Sequence, residues 1–219
     1  MNPPDTIAVI DFETTGISPT QGARATEVAA VLVQGGRIVN RYQSLMHSGA
    51  WVPPFIEQLT GISNRMLADA PPAAQVRREG AAFTAGCGLV AHTAAFDRQF
   101  WQHELALAQA PADAAPADFA CTLLLARRLY PQAPNHQLGT LARWHRIAPA
   151  GRAHRALADA EVTAQLWLHI DRDVRALLPA GLAADPASAP LPFGLLCALQ
   201  RAPRTGLARA ASRYLGRGA

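Results

Sequence analysis

The sequence predicts an α/β domain whose sheet contains both parallel and antiparallel strands. Two β-like segments, residues 26–34 and 37–46, are joined by Gly35-Gly36, as in a hairpin. Short apolar runs such as residues 6–10 are typical of buried strands. Segments with helical spacing of apolar residues follow the hairpin, and strands that alternate with helices are typical of α/β domains.

The remaining elements follow in chain order from the apolar spacing and from the Gly and Pro residues that interrupt it. Residues 88–91 predict a buried strand, and residues 119–130 a strand end followed by a helix that stops at Pro131. The predicted helices are two short ones within 53–84 divided at Gly61, a longer one after Pro72, one from about residue 94, and helices over 138–145 and 157–177. In the helix from residue 94, one stripe is predicted to contain Phe96, Phe100, His103 and Leu107. Residues 109–118 predict an Ala/Pro loop.

Composition predicts a soluble, cytoplasmic protein. Half of the 219 residues are hydrophobic, which excludes an intrinsically disordered chain. No apolar stretch approaches the roughly 18 residues that span a bilayer, and we see no signal peptide, so no membrane partner is expected. The 3 cysteines are far apart, which favours neither a disulfide framework nor a zinc site.

The positive charge is concentrated near the C-terminus. All 20 basic residues are arginine, and the net charge of +4 comes from residues 171–219, because the preceding part is neutral. We predict a main domain over 1–177, a linker over 178–192 and a basic extension over 193–219 with one or two short amphipathic helices. A basic extension suits nucleic acid or an acidic partner, although arginine-rich codon usage explains it equally well.

Asp11 and Glu13 form the first pair of candidate functional residues. Side chains two apart in a strand project from the same face, so two carboxylates lie side by side at the end of a buried run. Their repulsion and desolvation are costly, and a divalent cation removes both penalties. Two ordinary acids at a solvated strand end remain the alternative for this pair alone.

Three further residues strengthen the prediction. Asp97 lies in the first turn of a helix that follows a buried strand, the place where ligands gather in α/β sheets. Asp159 lies on a predicted buried stripe with Val162 and Leu166, where a carboxylate is costly unless it is paired or binds metal. His154 can reach the same place if it lies in the loop before that helix, since a spacing of five separates helix faces.

Together these residues resemble the Asp-Glu-Asp-Asp-His class of 3′→5′ exonucleases. The matching motifs are Asp11-x-Glu13, His92-x-x-x-Phe96-Asp97 and His154-x-x-x-x-Asp159, in order, across about residues 5–170. The strings Asp11-Phe12-Glu13-Thr14-Thr15-Gly16 and Leu59-Thr60-Gly61-Ile62 resemble the branch of the DNA polymerase III epsilon proofreading subunit. Thr93 stands where the family often has Asn, and Cys121 stands where Asp is common, but all five motif residues are present.

The resemblance implies a ribonuclease H-like fold with a mixed five-stranded sheet flanked by helices and a C-terminal helical extension. It implies two Mg²⁺ or Mn²⁺ ions per site, with metal ligands Asp11, Glu13, Asp97 and Asp159. In this assignment Asp11 bridges the ions, Glu13 and Asp159 hold the ion that binds the attacking water, and Asp97 supports the second ion. Glu13 and His154 are the catalytic residues, and His154 is the general base.

The expected substrate is the 3′ end of DNA, most simply single-stranded, in proofreading or repair. The predicted substrate contacts are Thr14, Thr15, Gly16, Thr60, Ile62 and Phe96, for each of which a core position is equally compatible with the sequence. The alternatives are an exoribonuclease of the oligoribonuclease or ribonuclease T type and a polymerase-associated binding module. A DNA polymerase or clamp is the expected partner of the C-terminal extension.

Overall fold

Five strands form one mixed sheet in the computed structural model, which describes residues 5–108, 118–149, 151–178 and 191–216. The strands are β1 (Ile7–Thr14), β2 (Ala25–Gln34), β3 (Arg37–Leu45), β4 (Gly88–Ala91) and β5 (Phe119–Cys121). Their order is β3-β2-β1-β4-β5. The first three strands are antiparallel, whereas β4 and β5 run parallel to β1. The predicted hairpin and the predicted mixed five-stranded sheet are confirmed.

Helices cover both faces of this sheet. They are α1 (Pro54–Thr60), α2 (Asn64–Ala68), α3 (Ala73–Phe83), α4 (Ala94–Leu107), α5 (Thr122–Leu129), α6 (Leu138–Trp144), α7 (Ala156–Arg175), α8 (Phe193–Leu199) and α9 (Leu207–Leu215). Gly61 ends α1 in the left-handed conformation at a φ of 74°, as predicted for the division between the first two helices. The predicted loop at 109–118 and linker at 178–192 lie largely outside the described residues.

The alternation of side chains along β1 divides the core in two. Val9 packs with Trp167 and Ile170 of α7 on one face, whereas Ile10 packs with Phe100 of α4 on the other. Because β1 and β2 are buried on both faces, they read in the sequence as nearly continuous apolar runs. This central position holds the carboxyl end of β1 firmly between α4 and α7.

Strand β1 extends beyond the apolar run of residues 6–10. The ladder with β2 continues through Glu13, which pairs with Glu27, so Asp11 and Glu13 lie in the strand as their predicted alternation requires. A register irregularity then lies between Glu13 and Thr14. Such bulges are common beside active sites, where they redirect a side chain.

The predicted stripe of α4 is confirmed for Phe96 and Phe100, which pack in the core, and is wrong for Leu107. Leu107 is exposed, whereas the helix buries Trp101 and Glu104 beside Phe100. The reason is a charged residue in the core, which the spacing of apolar residues cannot predict. Glu104 is paired with Arg24 and Arg77, so a carboxylate occupies a core position that apolar periodicity assigns to other residues.

The C-terminal extension forms two helices, and α8 packs on the main core. Leu195, Leu196 and Leu199 are buried in the same cluster as Val9 and Trp167. The Gln200 side chain accepts a hydrogen bond from the Cys121 N–H and donates one to the Phe119 carbonyl, along the outer side of β5. The division at 177 and 193 into separate units stays a prediction.

None of the described helices is both long and apolar enough to cross a membrane.

Candidate active site

The carboxyl end of β1 brings the sequence-predicted residues together. Atoms of Glu13, His154 and Asp159 that could bind a metal lie within 4.8 Å of one another. Glu13 is 8% exposed at the end of the strand, Asp159 lies in the first turn of α7, and His154 is in the exposed loop just before that helix. The predicted arrangement of a loop histidine beside a helical aspartate is the one observed.

Asp97 reaches the site from the opposite side of β1. It lies in the first turn of α4, is 3% exposed, and accepts hydrogen bonds from its own N–H and from the Phe12 N–H. Strand β4 pairs with β1 only as far as Val9, so the β1 backbone beyond that point is not paired with β4. The end of β4 therefore opens the space in which α4 presents Asp97.

Asp11 completes the acidic cluster. Burial raises its pKa well above the ordinary value, and the charge of Asp97, followed by those of Glu13 and Asp159, raises it further. Burial also raises the pKa of Glu13 to about 8, with Asp159 and Glu27 adding to the effect and Arg155 opposing it. The pKa of Asp97 is raised to about 7, chiefly by burial. These carboxyl groups are strongly destabilised as anions by their common surroundings.

The loop before α7 is held by hydrogen bonds at both of its ends. The His154 backbone N–H donates to Asp159 Oδ2 at 2.9 Å, and His154 has a left-handed φ of 60°. The Arg152 guanidinium donates to the Gln58 carbonyl at 3.2 Å, which connects the loop to the last turn of α1. Thus α1 forms one border of the site.

The predicted substrate-contact residues at the end of β1 and just after it already make contacts within the protein. The Thr14 hydroxyl donates to the Gly16 carbonyl at 2.7 Å. Thr15 makes two hydrogen bonds with the Arg24 backbone. Its N–H donates to the Arg24 carbonyl, and its hydroxyl accepts from the Arg24 N–H. Gly16 approaches the Ala23 side chain closely, because a Cβ there would lie 3.3 Å from that of Ala23. Substrate contact by these three residues stays a prediction.

The other predicted contacts lie mostly inside the protein. Thr60 is buried, and its hydroxyl donates to Ile56 and accepts from the Ile62 N–H. Ile62 is fully buried in a small cluster, and Phe96 packs on Phe100 with ring centroids 5.0 Å apart. Their contact with substrate also stays a prediction, but none presents a freely exposed side chain.

Sequence reasoning missed exposed apolar side chains near the same border. Phe55 is 70% exposed and Leu59 is 37% exposed, one turn apart on α1, and Ile17 is 73% exposed just after Gly16. The spacing of four between Phe55 and Leu59 was visible in the sequence. What spacing could not reveal was that this face of α1 is left uncovered.

Fold and site together define a ribonuclease H-like nuclease. The sheet has the order and strand directions of that fold, and acidic side chains gather at the carboxyl end of its central strand. The solved nuclease domain of 3′hExo, a DEDDh family member bound to rAMP, shares this fold. It has a TM-score of 0.65 at 18% identity, over 76% of this chain and 91% of that one.

The chain belongs to the exonuclease family RNase_T, whose family model matches residues 8–167. It is 37% identical over 171 residues to the 3′-5′ exonuclease DinG of Bacillus subtilis, covering 77% of this chain and 18% of DinG. It is 34% identical to a DNA polymerase III subunit epsilon-like protein of Rhodobacter capsulatus, covering 75% of this chain and 23% of that protein. The chain thus spans less than a quarter of the length of either relative.

A solved structure of Exonuclease X in complex with 5′ overhanging duplex DNA is also similar. Its TM-score is 0.60 at 30% identity, and the match covers 75% of this chain and 90% of that one. The resemblance to DEDDh-type exonucleases expected from the motifs is confirmed. The matched family region ends at residue 167, before α8 and α9.

Proposed function

We propose that this protein is a 3′→5′ exonuclease that hydrolyses phosphodiester bonds at the 3′ end of DNA, in proofreading or repair. The observation that carries the proposal is the meeting of Glu13, His154 and Asp159 within 4.8 Å at the end of β1. Membership in the exonuclease family supports the reaction class. The DNA substrate is supported by the similarity to Exonuclease X, which was solved with duplex DNA.

The donor set suits two divalent cations, Mg²⁺ or Mn²⁺. Asp11, Glu13, Asp97 and Asp159 offer carboxylate oxygens, the ligands that these hard cations prefer. The pKa values of the first three are raised by burial, and those of Asp11 and Glu13 also by neighbouring carboxylates, so bound cations would relieve the repulsion between them. When bound, the cations would stabilise charge on the attacking and leaving oxygens.

The chain's own contribution is to hold and deprotonate the attacking water. The water oxygen forms a bond to the terminal phosphorus while the bond to the 3′ oxygen of the preceding nucleotide breaks. The imidazole of His154 accepts the water proton, a role suited to the side chain that titrates nearest neutral pH. Asp159 fixes the loop by accepting the His154 N–H. The products are a nucleoside monophosphate and a chain one nucleotide shorter.

Single-stranded 3′ ends fit the border of this site. The exposed side chains of Ile17, Phe55 and Leu59 offer apolar surface to unpaired bases. The exposed Arg152, in the loop before α7, donates to the carbonyl of Gln58 on α1. Stacking on aromatic side chains next to arginine is a general means of binding single strands without sequence preference. We therefore expect faster degradation of single strands and 3′ overhangs than of blunt duplexes.

A direct degradation assay tests the proposal. A 5′-labelled single-stranded DNA is incubated with the protein and Mg²⁺ or Mn²⁺, with EDTA as the control. The expected result is a ladder that shortens one nucleotide at a time from the 3′ end, and EDTA abolishes it. A persistent full-length band under both metals, or internal cleavage of a circular single strand, is incompatible with the proposed function.

Exoribonuclease activity of the oligoribonuclease or ribonuclease T type is the second candidate, because DNA and RNA share the phosphodiester bond on which the proposed chemistry acts. RNA differs at the 2′-hydroxyl, which a protein recognises through local contacts. The assay therefore includes an RNA strand of matched sequence. Faster loss of the RNA identifies the second candidate.

Association with a DNA polymerase or clamp remains part of the proposal, supported by the similarity to proteins named DNA polymerase III PolC-type and epsilon-like. The assignment of this contact to the C-terminal extension rests on the basic charge of the extension, because the matched family region ends at residue 167.

A further inference from the structure

A buried carboxylate next to the site has no role in the reaction described above. Glu27 lies on β2 directly opposite Glu13 in the antiparallel ladder and is 0% exposed. An isolated buried carboxylate is costly, so its hydrogen-bond partners show what it does.

Four donors surround Glu27. Arg155 binds it with two nitrogens, Nη2 to Oε1 at 2.7 Å and Nε to Oε2 at 3.1 Å. The Ala156 N–H, the first of α7, donates to Oε2 at 2.9 Å, and Gln43 Nε2 donates to Oε1 at 2.6 Å. This carboxylate therefore binds both the first turn of α7 and the residue that precedes the helix.

The residue that precedes Arg155 is His154. Residues 151–154 are exposed, and His154 has the uncommon left-handed φ of 60°. Arg155 is extended and is the N-cap of α7. The buried pair with Glu27 thus anchors the loop immediately after the histidine, on the same side of the sheet as Glu13.

The presence of the buried Glu27–Arg155 ion pair is not explained by stability alone. Replacing a buried ion pair by apolar residues is often neutral or stabilising, whereas a bidentate guanidinium–carboxylate pair fixes geometry in a way that apolar contact does not.

We propose that Glu27 and Arg155 are positioning residues that hold the His154 imidazole beside Glu13 and Asp159. The proposal rests on the proposed role of His154 as general base. Neither residue touches the reacting atoms in this assignment, and their effect passes through the backbone between Arg155 and His154.

The chain contains a matched control pair. Arg24 donates from Nε and Nη2 to the two oxygens of the buried Glu104 at 2.9 and 3.1 Å, and the Ala25 N–H also donates to Glu104. The bidentate geometry is the same, although Glu104 has a second partner in Arg77, and the pair lies apart from the loop that contains His154. Arg24→Met therefore reports the cost of breaking a buried pair in this protein.

The test compares Arg155→Met with Arg24→Met. We expect Arg155→Met to lower kcat by about 10- to 100-fold relative to Arg24→Met, with KM for the oligonucleotide unchanged, as when a residue that orients a catalytic group is removed. Arg155→Lys keeps a positive charge against Glu27 but cannot reproduce the paired hydrogen bonds, so it should recover only part of kcat. It also serves as the folded variant if Arg155→Met does not fold.

Hydrogen exchange provides a readout that needs no activity. In protein treated with EDTA, amides of residues 151–156 should exchange faster in Arg155→Met or Arg155→Lys than in Arg24→Met. The proposal is overturned if amides of residues 151–156 exchange equally fast in the Arg155 variants and in Arg24→Met, or if kcat falls equally in both. An inactive wild-type protein with faster loop exchange in the Arg155 variants would instead overturn the proposed function.

Discussion

Glu13 is a residue whose chemistry is set by its neighbours. Its carboxyl group is nearly buried between Asp159 and Glu27, and burial is the main reason that its pKa rises to about 8. Arg155 opposes this shift, but the same guanidinium is already bound to Glu27. The folded protein without cations therefore favours a protonated Glu13 at neutral pH.

The first prediction concerns stability against pH in EDTA. A carboxyl group with a raised folded pKa binds its proton more tightly than in the unfolded chain, so stability falls as pH rises toward that pKa. Between pH 6.5 and 8 we expect a loss of at most about 1.4 kcal/mol per pH unit for Glu13. Urea denaturation at each pH measures it.

The range from pH 6.5 to 8 lies above the pH at which titration of the buried histidines changes stability. Burial lowers the pKa of His92 to about 4 and also lowers those of His145 and His169, and these groups add stability as pH rises only below about 6.5. Glu13→Gln should remove the Glu13 part of the dependence and leave a smaller fall from Asp11 and Asp97, whose pKa values are also raised. Mg²⁺ or Mn²⁺ at pH 8 should restore stability. The same stability in EDTA at both pH values would argue against the acidic cluster.

The second prediction distinguishes the role of the general base, His154, from that of the metal ligands. His154→Ala should lower kcat by about 10²- to 10⁴-fold, the usual contribution of a general base, while Mn²⁺ binding measured by calorimetry stays nearly intact. Asp11→Ala should lose both activity and metal binding. Similar loss of metal binding in the two variants would contradict these roles.

The sequence motifs predicted residues that meet at the end of β1, but not the residues that support them. Asp11, Glu13, Asp97 and Asp159 were predicted because carboxylates at strand and helix ends are costly without a function. His154 was predicted because a loop position before the helix lets it reach the same place as Asp159. Glu27 was missed because a single acid within an apolar strand gives no sign of its partner, which lies 128 residues away in the chain.

At the scale of single elements, α9 presents arginines to solvent. Arg209 and Arg213 lie one turn apart and are exposed, whereas Ala211 faces inward. The sequence predicted one or two amphipathic helices here, and the structure has two. The apolar stripe of α4, by contrast, could not be predicted, since pairing by Arg24 and Arg77 makes a core position acceptable for Glu104.

The third prediction is that α9 contributes to binding of nucleic acid. Arg209→Gln/Arg213→Gln should weaken binding of a labelled single strand in EDTA and reduce the slope of log affinity against log salt by about 1.4, because two phosphate contacts are lost. Fluorescence anisotropy at several salt concentrations measures the slope. The control is Arg37→Gln/Arg78→Gln, which removes two exposed arginines elsewhere. An equal change in both double variants would indicate only a general charge effect.

At the scale of the whole molecule, one core extends from the sheet to α8. Leu196 is 1% exposed and lies in the cluster that also contains Val9 and Trp167. The sequence could not predict this packing, because the Ala- and Pro-rich segment before α8 is typical of a linker and says nothing of where the next helix lies. Deletion of the extension would therefore test folding as well as partner binding.

The fourth prediction uses a single side chain instead. Leu196→Ala should lower the free energy of unfolding by about 2–5 kcal/mol, the usual cost of a cavity at a buried leucine. Leu107→Ala, at a position 50% exposed, should cost much less. Chemical denaturation followed by circular dichroism measures both. Equal small losses would mean that α8 contributes little to the core and would favour a separable extension.

The two hydrogen bonds between the Gln200 side chain and β5 affect how copies of the protein can associate. The outer side of an edge strand offers unpaired amide and carbonyl groups on which a strand of another molecule can form. Gln200 occupies such groups at Phe119 and Cys121, and α8 packs alongside. At the other edge, β3 carries the exposed Arg37, a charge that discourages pairing between sheets, and Arg41, which is paired with Glu161 of α7. Both margins of the sheet are thus protected against aggregation through strand addition.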